Sequence, residues 1–75
     1  MKINIVNGDM WQAAYINEKL VYENHHLDLQ VLFNAMKKED SKEAIGNIEF
    51  NEEFCDIDWL EDEGNFPDNY GDIQF

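Results

Sequence analysis

The chain contains no arginine and no threonine, and only one serine, one cysteine and one proline among its 75 residues. Each scarcity closes a possibility. A single thiol, Cys55, excludes an internal disulfide and suits a reducing cytoplasm, where a lone cysteine serves as a small apolar side chain. The only serine, Ser41, stands in a charged stretch, so hydroxyl nucleophiles have little to offer here. No apolar run approaches the roughly 18–20 residues of a membrane-spanning helix. The amino terminus also lacks the basic start and apolar stretch of a signal peptide. The expectation is a soluble, cytoplasmic protein.

What the chain has in abundance is acid. Seventeen aspartates and glutamates face five lysines, for a net charge of −12. The imbalance is confined to one half. Residues 1–38 carry four acids and four lysines, whereas residues 39–75 carry thirteen acids and the single base Lys42. Crowding like charges opposes compaction, so an asymmetry this large points to a use outside the fold, with a cationic partner. An acidic surface is repelled by nucleic-acid phosphates and anionic lipid, which leaves a basic protein surface or a cation. At 44% hydrophobic with ten aromatics, the chain is too rich in large side chains for a disordered acidic tail. Residues 1–75 are expected to form one small domain whose core is close to the lower limit for independent folding, so dimerisation is a possible supplement.

Local patterns predict an α+β fold, with an antiparallel sheet of three to five strands, one amphipathic helix packed on it and a short carboxy-terminal helix. Ile3 and Ile5 alternate with polar neighbours in a strand over 1–6, and Asn7-Gly8 is a turn signal. A second strand over 11–16 and a third around Leu20-Val21-Tyr22, joined through Asn17-Glu18-Lys19, complete a meander. From Leu27 to Lys38 the period changes. Leu29, Leu32, Phe33 and Met36 fall on one helical face, with Asp28 as amino-terminal cap and Lys37 and Lys38 at the carboxy-terminal end. A polar connection from Glu39 to Glu43 and a turn at Gly46-Asn47 precede one or two strands spanning Ile48 to Ile57, interrupted near Asn51-Glu52-Glu53. Asp58 and Glu61 match a capping box for a helix over 59–63, closed by Gly64 and Pro67. Phe66, Tyr70, Ile73 and Phe75 suggest a packed tail.

The leading functional candidates are the acids Glu49, Glu52, Glu53, Asp56, Asp58, Glu61, Asp62, Glu63, Asp68 and Asp72, with Trp59 and Tyr70 as aromatic anchors beside them. Carboxylates two apart on a strand project from one face about 6.5–7 Å apart, and helical spacings of three and four are similar. Such a set can imitate a phosphate backbone, and the plain alternative is a solvated face that serves solubility. Calcium is a second possibility, yet the acids do not follow the calcium-loop pattern. His25 and His26 with Cys55 lack the spacing of a zinc site. Neighbouring acids would raise the Cys55 thiol pKa, so neither enzymatic activity nor a cofactor is expected.

The runs Asn7-Gly8-Asp9-Met10-Trp11, Tyr15 to Val21, His25 to Leu29, and Asp58-Trp59-Leu60-Glu61 through Gly64 and Pro67 resemble a group of small, uncharacterised acidic proteins of phages and bacteria. In size, acidity and lack of arginine the chain is also similar to phage-encoded inhibitors of host defence, including anti-CRISPR proteins and DNA mimics. The resemblance implies a fold and a phage setting and transfers no functional residue; the one-sided charge is what raises the expectation of an acidic binding protein that occupies a basic, nucleic-acid-binding surface of a host protein. An oligomeric regulatory or adaptor protein that uses a sheet edge or exposed aromatics, and a calcium-responsive module, are the alternatives.

Overall fold

Val6 has no exposed surface, and every residue from Ile3 to Asn7 is buried, so this strand has both faces covered and a neighbour on either side. A computed structural model describes residues 1–40 and 48–75. It shows the elements β1 (Lys2–Asn7), β2 (Gln12–Ile16), β3 (Lys19–Asn24), α1 (Leu29–Asp40), β4 (Glu49–Phe54) and α2 (Ile57–Glu63), then a 3-10 turn, Tyr70–Asp72. The sheet order is β3-β2-β1-β4. The fold is α+β, as the periodicities predict, with one difference in the sheet. The meander is antiparallel, but β4 joins β1 in parallel, with Lys2 opposite Glu49 and Asn7 opposite Phe54. Between β3 and β4 the chain passes through α1, and a crossover of that length is what a parallel pairing requires. The proposed break near Asn51-Glu52-Glu53 is absent, and β4 runs unbroken to Phe54. The turn read at Gly46-Asn47 and the connection beyond Asp40 lie outside the described residues.

Alternation along β1 and β2 sends side chains to opposite faces and builds two cores. On one face Ile3, Ile5, Ala14 and Ile16 meet Leu32 of α1, with Ala35 and Met36 packed against them. The helix therefore buries a narrower stripe than its pattern implies. Leu29 and Phe33, placed on the same face by the periodicity, are 64% and 51% exposed. Asp28 caps α1 as expected, accepting from the Gln30 amide at 2.9 Å. On the other face Val6, Ala13 and Tyr15 pack with Cys55, Leu60, Phe66 and Ile73. Each fully buried aliphatic or aromatic side chain contributes about 1.5–3 kcal/mol, so a chain this short needs both cores.

The tail holds the second core shut. The Leu20 amide donates to the Asp68 carbonyl at 2.8 Å, that of Tyr70 to Glu18 at 2.9 Å, and that of Asp56 to Gln74 at 2.9 Å. Tyr15 donates its hydroxyl to the Pro67 carbonyl at 2.6 Å. The expectation of a packed tail holds for Phe66 and Ile73, whereas Phe75 is exposed. Gly8 lies where the β1–β2 loop passes beneath α2, and a Cβ there would come within 2.2 Å of Leu60 Cδ2.

The capping box is placed two residues too late. Asp56 is the cap of α2, its carboxylate accepting from the Trp59 amide at 3.1 Å, and Asp58 lies in the first turn. Burial of Cys55 explains the shift, because it ends the extended segment at the core and leaves the next residue at the helix entrance. Gly64 closes α2 with φ +83°, as its position predicts. Replacing Asp56 with alanine is expected to cost about 1 kcal/mol in urea unfolding. Asp58→Ala should cost no more than about half of that, the share a first-turn acid draws from the helix dipole. Equal losses would refute the assignment of the cap.

One buried polar group is left over. Asn4 is 1% exposed, and neither its Oδ1 nor its Nδ2 has a hydrogen-bond partner among the described residues. Desolvating an amide without a partner opposes folding, so Asn4→Val is expected to raise the unfolding free energy by about 1 kcal/mol. A loss of stability would show that the amide is satisfied in solution.

Candidate interaction surface

The parallel register divides the acids of β4 between two faces. Partners in a ladder share a face, so Glu49, Asn51 and Glu53 stand with Lys2, Asn4 and Val6 on the side of α2. Phe50, Glu52 and Phe54 stand with Ile3, Ile5 and Asn7 on the side of α1. The strand thus presents no row of carboxylates at two-residue spacing. Glu49 and Glu53, with Asn51 between them, are about 13 Å apart along the strand.

The acids of α2 are grouped more tightly. Leu60 is buried and Trp59 half-buried against the second core, which turns Asp58, Glu61 and Asp62 outward, all exposed. Spacings of three and four residues keep neighbouring Cβ atoms about 5–6 Å apart. Glu63, Asp68 and Asp72 are exposed as well. Asp56 is committed to its cap, and Glu53 is half-buried and accepts the Tyr70 hydroxyl at 2.5 Å. Eight of the ten proposed acids thus extend over β4, α2 and the tail with no described hydrogen bond donated to their carboxylates, and two serve structure. Trp59 and Tyr70 lie partly within the core rather than standing free beside the charge.

The exposed aromatics lie elsewhere. Phe50 is 59% and Phe54 75% exposed, both on the α1 side of the edge strand. Residues 50, 52 and 54 form a face that reads Phe-Glu-Phe. That mixed composition is the sequence signal that the face is not core, and it is missed when Phe50 is read only in alternation with Glu49. The outer edge of β4 pairs with no strand among the described residues. The opposite edge, β3, is covered at its start by the tail, through the Lys19–Asn69 bridge and the Leu20–Asp68 hydrogen bond.

The remaining candidates are occupied by structural contacts. His25 Nδ1 lies 2.9 Å from the Met10 carbonyl, and its ring meets Trp11 edge-on at 4.6 Å. Cys55 belongs to the second core, where burial first and the adjacent Asp56 carboxylate second push its thiol pKa up. A raised pKa leaves little thiolate near neutral pH. Among the described residues no three His, Cys, Asp or Glu side chains converge as a metal would need, so neither the zinc set nor the calcium reading gains a site. No described helix is long and apolar enough to cross a membrane.

No family model, curated protein or solved structure matches the chain.

Tyr70 couples the acidic strand to the second core. Burial, followed by the hydrogen bond and charge of Glu53, pushes its phenol pKa from 10.0 up to about 12. Burial also raises that of Tyr15, with Glu23 and Asp68 adding to the effect. The unfolded chain then loses phenolic protons before the folded one does. Stability from the neutral phenols is complete below the unfolded pKa of 10.0 and is lost as pH rises toward about 12. Thermal melts should therefore show wild type more stable than Tyr70→Phe near neutral pH, with the gap narrowing across that alkaline window. A gap independent of pH would mean that the Tyr70–Glu53 contact does not hold in solution.

Proposed function

We propose that this protein acts by binding rather than catalysis, with its acidic half occupying a basic, nucleic-acid-binding surface of a partner protein in the cytoplasm. Phage-encoded inhibitors of the anti-CRISPR or DNA-mimic type work in this way, and the same class is proposed here. The observation that carries the reading is the one-sided charge, thirteen acids against Lys42 after residue 38, together with the exposure of the acids on α2. Folding alone has no use for that imbalance, because like-charge crowding weakens a compact chain. Complementary charge would speed encounter and make it sensitive to salt.

The geometry favours α2 as the mimic of a phosphate row. Asp58, Glu61 and Asp62 supply closely spaced carboxylates on a capped helix, whereas β4 divides its acids between faces. A second reading, an adaptor that engages other proteins through a sheet edge and exposed aromatics, is favoured by Phe50 and Phe54. The two readings differ in what disrupts them. Capture from host lysate at low salt is expected to recover a basic protein that both high salt and duplex DNA displace. The variant carrying Asp58→Lys, Glu61→Lys and Asp62→Lys should bind that protein at least about tenfold more weakly while retaining its circular dichroism spectrum. Unchanged affinity in this variant, or indifference to DNA, would refute mimicry and leave the aromatic edge as the interface.

A further inference from the structure

β4 combines three features that are found together nowhere else in the described sheet. It is an edge strand, two of its three outward-facing residues are aromatic, and its charges are all of one sign. The Glu49 amide donates to the Met1 carbonyl at 2.9 Å and the Cys55 amide to Asn7 at 3.0 Å. In a parallel ladder the bonding residues alternate, so Glu49, Asn51 and Glu53 direct their backbone groups toward β1. Phe50, Glu52 and Phe54 direct theirs outward, where no described strand receives them. The same three residues place their side chains on the α1 face.

We infer that β4 is a docking edge for an extended, cationic segment of a partner protein, which adds to the sheet as a fifth strand. Backbone bonding to Phe50, Glu52 and Phe54 would supply affinity, and the side-chain pattern would supply selectivity. On the α1 face the incoming strand meets Phe, Glu and Phe in turn, which asks for apolar, basic and apolar residues at alternate positions. Directly opposed pairs of opposite charge, or of aromatic and β-branched residues, stabilise such a pairing. On the other face it meets Glu49 and Asn51, and a base there completes the match.

Charge decides between this occupant and a second copy of the chain. A two-fold axis through the sheet keeps each face with itself. Centred on Asn51 it sets Glu49 against Glu53, and centred on Glu49, Glu52 or Glu53 it sets that glutamate against its own mate; centred on Phe50 it pairs Glu49 with Asn51 and Glu52 with Ile48, and there the net charge of the two chains supplies the repulsion. Like charges directly opposed destabilise a pair, and two chains of net charge −12 repel at longer range as well. The glutamates that guard the edge against self-pairing are the groups that a basic strand would neutralise.

This inference rests on the reading of the protein as an acidic binder and adds β4 as a second element beside α2. The test uses the full chain with the heptapeptide Lys-Val-Lys-Lys-Lys-Val-Lys, whose even positions put valine, lysine and valine on one face and whose odd positions put lysines on the other, and the same peptide N-methylated at every backbone amide. The unmethylated peptide is expected to bind at least about tenfold more tightly, since only it can donate to the edge. Amide exchange should slow at Phe50, Glu52 and Phe54, while the amides of Glu49 and Cys55, already bonded to β1, change little. Glu52→Lys, an exposed substitution, should weaken the peptide without altering the melting temperature. Equal binding of both peptides overturns strand addition but leaves charge-driven capture standing. No binding of either overturns the docking edge, and the duplex-DNA competition at α2 then judges the broader reading separately. Protection of the β4 amides at high protein concentration without peptide would overturn the choice of occupant in favour of a second copy.

Discussion

The double burial of β1 is the constraint from which the rest of the architecture follows. A strand covered on both faces requires apolar or satisfied residues at every position, and Ile3, Ile5 and Val6 meet that demand. Asn7 meets it differently, accepting from Gln12 Nε2 at 2.7 Å and donating to the Glu53 carbonyl at 3.4 Å. Gln12 in turn accepts the Leu27 amide at 2.9 Å, fixing the approach to α1. One polar network thus links the ends of β1 and β4 to the entrance of the helix between β3 and β4. Asn4 is the exception in the strand, and its unpaired amide stands in the same ladder row as Tyr15 and Asn51.

Local chemistry made most of the elements legible. The meander, the helical period, the Asp28 cap, the Gly64 stop and the packing of Phe66 and Ile73 all depend on short-range patterns of turn residues and spacing. What stayed hidden depended on partners distant in the chain. Whether β4 would join in parallel or antiparallel fashion is not written in Glu49–Phe54 itself, but follows from α1 standing between β3 and β4, so that the chain is carried back and β4 enters in the direction of β1. The cap moved from Asp58 to Asp56 because the burial of Cys55 is a tertiary fact. Similarly, the helical period puts Leu29, Leu32, Phe33 and Met36 on one apolar face of α1, of which the sheet covers only the stripe around Leu32, Ala35 and Met36. Four strands with one helix on that side leave Leu29 and Phe33 without a partner surface.

The acidic half was legible as composition and not as geometry. A list of carboxylates by number treats β4 and α2 as one surface, but a period of two sends neighbours in a strand to opposite sides of the sheet. The fold then assigns the acids different work. Asp56 holds a helix end, Glu53 receives a phenol from the tail, Glu52 sits between two phenylalanines, and the carboxylates of α2 face solvent. Charge that is one undivided run in the sequence is therefore split among capping, anchoring, guarding an edge and presenting a surface.

The two edges of the sheet are treated unequally, and the difference has a physical cause. The β3 edge has Lys19 at its start, whose ammonium donates to Asn69 Oδ1 at 2.6 Å and helps to seat the tail alongside. A covered edge needs no further protection. The β4 edge receives no such cover from the described residues, and its three glutamates take on the protective role. Protection by charge differs in kind from protection by cover, because it excludes chains of like charge and admits those of opposite sign. Where the tail closes the start of β3 the edge is shut to every partner, whereas an edge guarded by glutamates is selective. With phenylalanines at both ends of its outward face, the open edge is built to reject its own copies while retaining apolar surface for a basic strand.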